Sequence, residues 1–184
     1  MDIEHFSLVK CDITEKKVHF EASILTETTA ENAKTYKDKP TYFEYPTLGI
    51  REQLAALKDF YFQYFNFNTV PAVISDPKFA ATKPQKDLMI KARRTVLDLI
   101  KITGITVAGK DRTGITIHGT VNGCKMVTKS ISFDHPQWGN DLKTISDKLE
   151  QELVDFAYHG KRDQLQTGDG ENEESPVTKP GDKS

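Results

Sequence analysis

Hydrophobic and polar positions alternate in two stretches near the N-terminus, residues 6–13 and 17–25, separated by Thr14, Glu15 and Lys16. In the second stretch Val18, Phe20 and Ala22 share one face, while His19, Glu21 and Ser23 share the other. That two-residue period predicts a hairpin of half-buried strands. Residues 26–39, rich in Thr, Glu, Asn and Lys, read as a loop or a short marginal helix, and a third strand is expected at about 40–45. From about 49 to 67 the period becomes helical, with Ile50, Leu54, Leu57, Tyr61, Tyr64 and Phe65 on one face. Residues 68–85 carry three prolines and no period, which predicts a long connection, and 86–98 read as a helix. Alternation returns at 100–109 and 114–121, a second hairpin, and at 125–133 after the tight-turn pair Asn122-Gly123. Apolar parity shifts near Gly104, the mark of a bulge. The last helix, about 140–159, carries Leu142, Ile145, Leu149, Leu153 and Phe156, with Asn140 or Asp141 as its cap and Gly160 at its end.

A short motif occurs twice. Phe43-Glu44-Tyr45-Pro46-Thr47-Leu48-Gly49 matches Phe133-Asp134-His135-Pro136-Gln137-Trp138-Gly139, and a helical pattern follows each copy. Pro and Gly make the motif a turn between strand and helix, with Leu48 and Trp138 expected to wedge under the helix starts. Leu8 to Ser23 also aligns with Ile105 to Thr120 without a gap, at an offset of 97, while the motif copies stand 90 apart. The fold expected is α+β: an antiparallel sheet built from two strand–strand–strand–helix repeats, about 5–67 and 100–159. The helices would pack on one face, with one extra helix between the repeats.

The 184 residues suffice for one domain with a real core, here 1–164. Residues 165–184 hold five acids, two lysines and no large apolar residue after Leu165, so a disordered acidic tail is expected. The chain's net charge is −2. Met1-Asp2-Ile3-Glu4-His5 does not resemble a signal peptide, and no apolar run reaches membrane-spanning length. Cys11 and Cys124, far apart and outside any paired spacing, read as free thiols of a reducing compartment. A cytoplasmic location without membrane attachment follows.

The common signatures of phosphate-loop, dinucleotide, zinc-protease and nucleophile-elbow enzymes are missing, so no catalytic residue, metal or cofactor is expected. His19 and His118 fall on the polar parity of their strands, and with Glu21 they are the one geometric option for a metal or acid–base site. Charge is more informative. Residues 78–112 hold nine bases against three acids. Lys91, Arg93 and Arg94 fall outside the apolar arc of the helix, Lys101 follows it, and Lys110 and Arg112 occupy a hairpin tip. These six are the candidate contacts to a phosphate backbone. Phe62, Tyr42 and Trp138 are candidate stacking rings, and Phe62, off the main apolar face, is also the candidate contact to a partner chain.

The run Ile102 to Gly109, followed by Gly114 to Thr120, resembles a pattern in small tailed-phage proteins of unassigned function, as do the Tyr45-Pro46 and His135-Pro136 turns before helices. The resemblance implies a phage or phage-like origin and carries over no catalytic residue. Repeated sheet–helix units are also similar in architecture to PUR-repeat and Whirly single-strand nucleic-acid binders, which use four strands per unit where three are countable here. That similarity implies binding on the sheet surface and hairpin tips. The expected function is a nonenzymatic single-stranded nucleic-acid-binding protein of a phage replication or recombination module, working in the host cytoplasm. The alternative is a protein-interaction module, a virion accessory or host-factor inhibitor, either self-associating or binding another protein. Its motive is the aromatic surplus from Phe60 to Phe67.

Overall fold

The computed structural model describes residues 3–26, 35–67, 83–108 and 111–163. β1 (Ile3–Thr14) and β2 (Lys17–Thr26) form the first hairpin, and β3 (Thr35–Asp38) and β4 (Thr41–Tyr42) both pair with β2. Helices α1 (Leu48–Ala56), α2 (Lys58–Tyr64) and α3 (Lys83–Leu99) follow. The second repeat starts with β5 (Ile100–Ala108) and β6 (Gly114–Val121). β7 (Cys124–Val127) and β8 (Ile131–Ser132) both pair with β6, and α4 (Gly139–Tyr158) closes the fold. One antiparallel sheet runs β3–β2–β1–β5–β6–β7, making the protein α+β.

Burial follows the sequence period. Leu8, Cys11, Phe20, Ile105 and Ile117 point to one face of the sheet. There they meet Ile50 and Leu54 of α1, Tyr61 and Phe62 of α2, and Leu142, Leu149 and Phe156 of α4. Each such side chain withdrawn from water is worth about 1.5–3 kcal/mol, so this two-layer arrangement is where the stability lies. α3 lies beside α2 through an Arg93–Asp59 ion pair of 3.0 Å, with Val96 and Leu97 turned to the core.

The repeats correspond more closely than their sequences. Besides a register shift between Ile3 and His5 in β1, each first strand carries one bulged residue, Val9 in β1 and Thr103 in β5. Counted back from the last hairpin pairs, Thr14–Lys17 and Ala108–Gly114, both bulges stand at the same place. The second hairpin loop, residues 109–113, is three residues longer than the first, residues 15–16. The ungapped alignment therefore holds for β2 against β6 but misplaces β1 against β5 by those three residues. The third strand of each repeat is also interrupted: β3 and β4 are parted by Lys39-Pro40, β7 and β8 by Thr128, Lys129 and Ser130. Pro40 has no N–H to donate, and Thr128 turns its hydroxyl inward to accept from the Ile117 N–H at 2.9 Å.

Other expectations are corrected. Thr35–Asp38 is a strand, not loop or helix, because Tyr36 and Asp38 keep the register of Ile24 and Ala22. The aromatic helix is broken at Leu57, a fully buried residue that ends α1 and begins α2. Neither Asn140 nor Asp141 caps α4. Trp138 holds that position, and the His135 ring takes up the loose amides, its Nδ1 accepting from the Gln137 and Trp138 N–H groups at 3.3 Å. Gly139 is required there because a Cβ would lie 2.0 Å from the Phe133 carbonyl oxygen. Trp138 does pack, edge-on to Phe60 at 6.3 Å and stacked with His135 at 4.7 Å. Leu48 does not wedge under α1; it is 54% exposed. The tail at 165–184, residues 68–82 of the expected 68–85 connection and Lys110 lie outside the described residues; residues 83–85 of that connection are the first turn of α3.

Candidate nucleic-acid interface

The helices α1, α2 and α4 cover one face of the sheet, and among the described residues the other face is mainly polar, with Val127 exposed on it. Strand alternation alone decides what it displays. A row crosses it from Thr41 through His19, Asp12 and Gly104 to His118, each the register partner of the next. The adjacent row runs Glu21, Lys10, Thr106, Thr116. The first repeat supplies charges and the second supplies mainly hydroxyls.

The charges are predominantly positive. Lys10, Lys17, Lys37, Lys101 and Lys125 occupy outward strand positions, and Lys39 reaches in to Glu21 at 2.7 Å. The acids among the described outward positions are Asp12 and Glu21, so the face carries about +4 on a chain whose net charge is −2. Both acids are already paired. Asp12 takes Lys10 at 2.6 Å, and this hydrogen bond raises the lysine pKa. The hydrogen bond from Lys39 lowers that of Glu21. Lys17, Lys37, Lys101 and Lys125 have no ion-pair partner among the described residues.

The two histidines share this face as their parity implied, but two strands, β1 and β5, separate them. His19 Nδ1 lies 2.9 Å from the Pro40 carbonyl oxygen, which fixes it as the protonated nitrogen, and 2.9 Å from the Thr41 hydroxyl. His118 Nε2 is 2.9 Å from the Thr106 hydroxyl, and its Nδ1 is 3.8 Å from Asp12. Burial pushes the His118 pKa below its ordinary value against the pull of Asp12. Among the described residues no group of three or more His, Cys, Asp or Glu side chains is arranged to hold a metal ion.

The five basic candidates among the described residues do not converge. Lys91 and Arg94 are exposed on α3 and have no ion-pair partner among the described residues, whereas Arg93 pairs with Asp59 and lies over the Phe62 ring at 5.4 Å. Lys101 stands apart from them, on the open sheet face. Arg112, at φ +51°, turns away from the tip to the helix side, where it pairs with Glu150 of α4 and donates to Ser7 Oγ at 3.0 Å. Glu150 also accepts the Leu8 N–H at 3.1 Å, where β1 has diverged from β5. Arg112 is thus part of a structural clasp.

Phe62 is corrected as a partner contact: it is 1% exposed, its ring packed against that of Phe67, just beyond α2, at 6.1 Å. The other rings of that segment are likewise used internally, Tyr61 donating to the Met126 carbonyl and the Tyr64 hydroxyl accepting from the Lys129 N–H, both at 2.9 Å. Tyr42, half-buried, stacks on Phe20 and meets Phe156 edge-on at 5.2 Å, against the core. Lys10, Lys17, Lys37 and Lys125 were not among the candidates, though for Lys17 the signal was available: it shares the parity of His19.

No protein-family model matches the chain, and neither a curated protein nor a solved structure is similar to it. Among the described residues no helix is long and apolar enough to cross a membrane.

Proposed function

We propose that this is a nonenzymatic single-stranded nucleic-acid-binding protein of a phage replication or recombination module, and that it binds on the open face of the sheet. The observation that carries this reading is the charge of that face, six lysines against two carboxylates that are already paired. Unpaired cations set along neighbouring strands suit a phosphate backbone, whose binding is driven by counterion release. The hydroxyls of Thr116 and Thr120 add donors for phosphate oxygens. Two repeats, each with four strand segments before its helix, support the architectural similarity to PUR-repeat and Whirly proteins by analogy alone. Lys101 is the candidate that belongs to this face; Lys91 and Arg94 would extend it only if the strand wraps to α3.

The test is a salt titration of binding to a labelled single-stranded oligonucleotide. Micromolar or tighter binding that weakens steadily with salt is expected. Lys101→Ala and Lys125→Ala should each weaken it and reduce the salt slope by about one. No binding at low salt overturns the reading.

One observation favours the alternative, a protein-interaction module. On α3, Ile90 is 67% exposed and Leu99 46% exposed. A stable oligomer, or a protein partner bound at this helix with no affinity for nucleic acid, is the result that reading requires.

A further inference from the structure

The two copies of the duplicated turn are packed in opposite ways. In the second, the Phe133 and Trp138 rings are half-buried against the core, and His135 stacks on Trp138. In the first, the matching Phe43, Tyr45 and Leu48 are 82%, 63% and 54% exposed. A turn of this kind can bury its rings, as the second copy does, so the exposure of the first calls for a reason beyond the fold.

Their surroundings indicate the ligand. Phe43 directly follows Tyr42, the last residue of β4, whose ring packs edge-on to Phe156. Tyr42 pairs with Val18, so Lys17 and Phe43 each adjoin that last register pair. Lys16 at the hairpin tip lies 5.8 Å from the Tyr45 ring centroid. Lys16 and Lys17 have no ion-pair partner among the described residues. The nearest acid of the turn, Glu44, is neutralised by Arg162. Two exposed rings thus sit beside two available cations, at the margin of the basic face.

We infer that Phe43 and Tyr45 form a stacking subsite for unpaired bases of single-stranded nucleic acid, with Lys16 and Lys17 receiving the adjoining phosphates. This rests on the functional reading above and adds to it the residues that hold bases. A flat ring offers a π-face to any base, so the subsite would select unpaired strands over duplex without selecting sequence.

The experiment compares a labelled oligothymidylate with an abasic strand of equal length, by fluorescence anisotropy, for the wild-type chain and for Phe43→Ala, Phe43→Leu, Phe43→Trp and Tyr45→Ala. Phe43 and Tyr45 are largely solvent-exposed, so these variants should keep the wild-type circular dichroism spectrum. Phe43→Ala and Phe43→Leu should bind oligothymidylate about tenfold more weakly, Tyr45→Ala severalfold more weakly, and Phe43→Trp at least as well as wild type. None should change affinity for the abasic strand. Wild-type binding that no Phe43 or Tyr45 substitution alters overturns the stacking subsite and leaves the nucleic-acid reading standing. Equal losses on both strands also overturn it, since the effect would not act through bases. If the wild-type chain binds neither strand at low salt, the functional reading falls and the subsite with it. Concentration-dependent self-association that Phe43→Ala abolishes would instead assign the rings to a contact between copies.

Discussion

Cys11 and Ile105 are register partners on the β1–β5 ladder and also occupy the same position in the two repeats. Each lies three residues before the last pair of its hairpin. The pseudo-twofold axis of the protein therefore passes between them, and a ladder of only three residue pairs, Lys10–Thr106, Cys11–Ile105 and Asp12–Gly104, joins the repeats.

Gly104 makes that joint close. A Cβ at this position would lie 2.0 Å from the Cys11 carbonyl oxygen, a backbone atom that cannot swing aside. Gly104→Ala should therefore destabilise the protein by about 1–3 kcal/mol, as overpacking does. Urea unfolding checks this through a lowered midpoint at unchanged slope. A lowered slope would show that the two halves no longer unfold together.

Cys11 is fully buried, and burial pushes its thiol pKa up to about 12, whereas Cys124 is exposed at the start of β7. The thiolate is the reactive species. A disulfide reagent at mildly alkaline pH should modify one thiol quickly and the second only after denaturant is added. Cys124→Ser should abolish the fast phase. Two fast thiols would mean that β1 and β5 open readily.

How much of this was legible in the sequence depended on which force set each feature. Strand parity and helical period come from burial, so the hairpins, the long helices and the shared face of His19 and His118 could be read directly. The bulge near Gly104 announced itself through shifted parity, but its twin at Val9 did not, because Leu8 and Val9 are both apolar. The direction of Arg112 was unreadable: it depends on Glu150, distant in sequence, reaching the gap beside Leu8. The same holds for Phe43 and Phe62. Their exposure is set by packing between elements, and local spacing suggested a surface role for the ring that is buried.

The Arg112–Glu150 clasp has a stability role that can be separated from binding. Removing the guanidinium leaves Glu150 largely buried without its counter-charge, while the Leu8 N–H remains as a partner. Fully buried pairs lose several kcal/mol on such a cut; partial solvent access here reduces that to about 1–3 kcal/mol. Arg112→Ala should lower the unfolding midpoint accordingly, while Lys101→Ala, on an exposed strand position, should stay within about 0.5 kcal/mol of wild type. Below saturation of either defect, the folded Arg112→Ala protein should bind single strands as wild type does. A selective loss of affinity at unchanged stability would return Arg112 to the interface.

His118 gives the fold a pH dependence of defined sign. Burial lowers its folded-state pKa below the ordinary 6.5, with Asp12 pulling the other way and Lys10 adding to the lowering. The unfolded chain then binds more protons than the folded one in the window just below 6.5. Stability is therefore fully present above that value and is lost as pH falls through it toward the folded-state pKa. The neutral ring is also the form whose Nε2 can accept from the Thr106 hydroxyl, a bond of 2.9 Å. Urea unfolding of the wild type at pH values from about 7.5 down to 5.5 should show falling stability across the range where histidine titrates. His118→Gln, which cannot take up the proton, should flatten that decline. A steeper decline in the variant, or a wild type that gains stability toward pH 5.5, would mean that the Asp12 carboxylate outweighs burial and holds His118 charged.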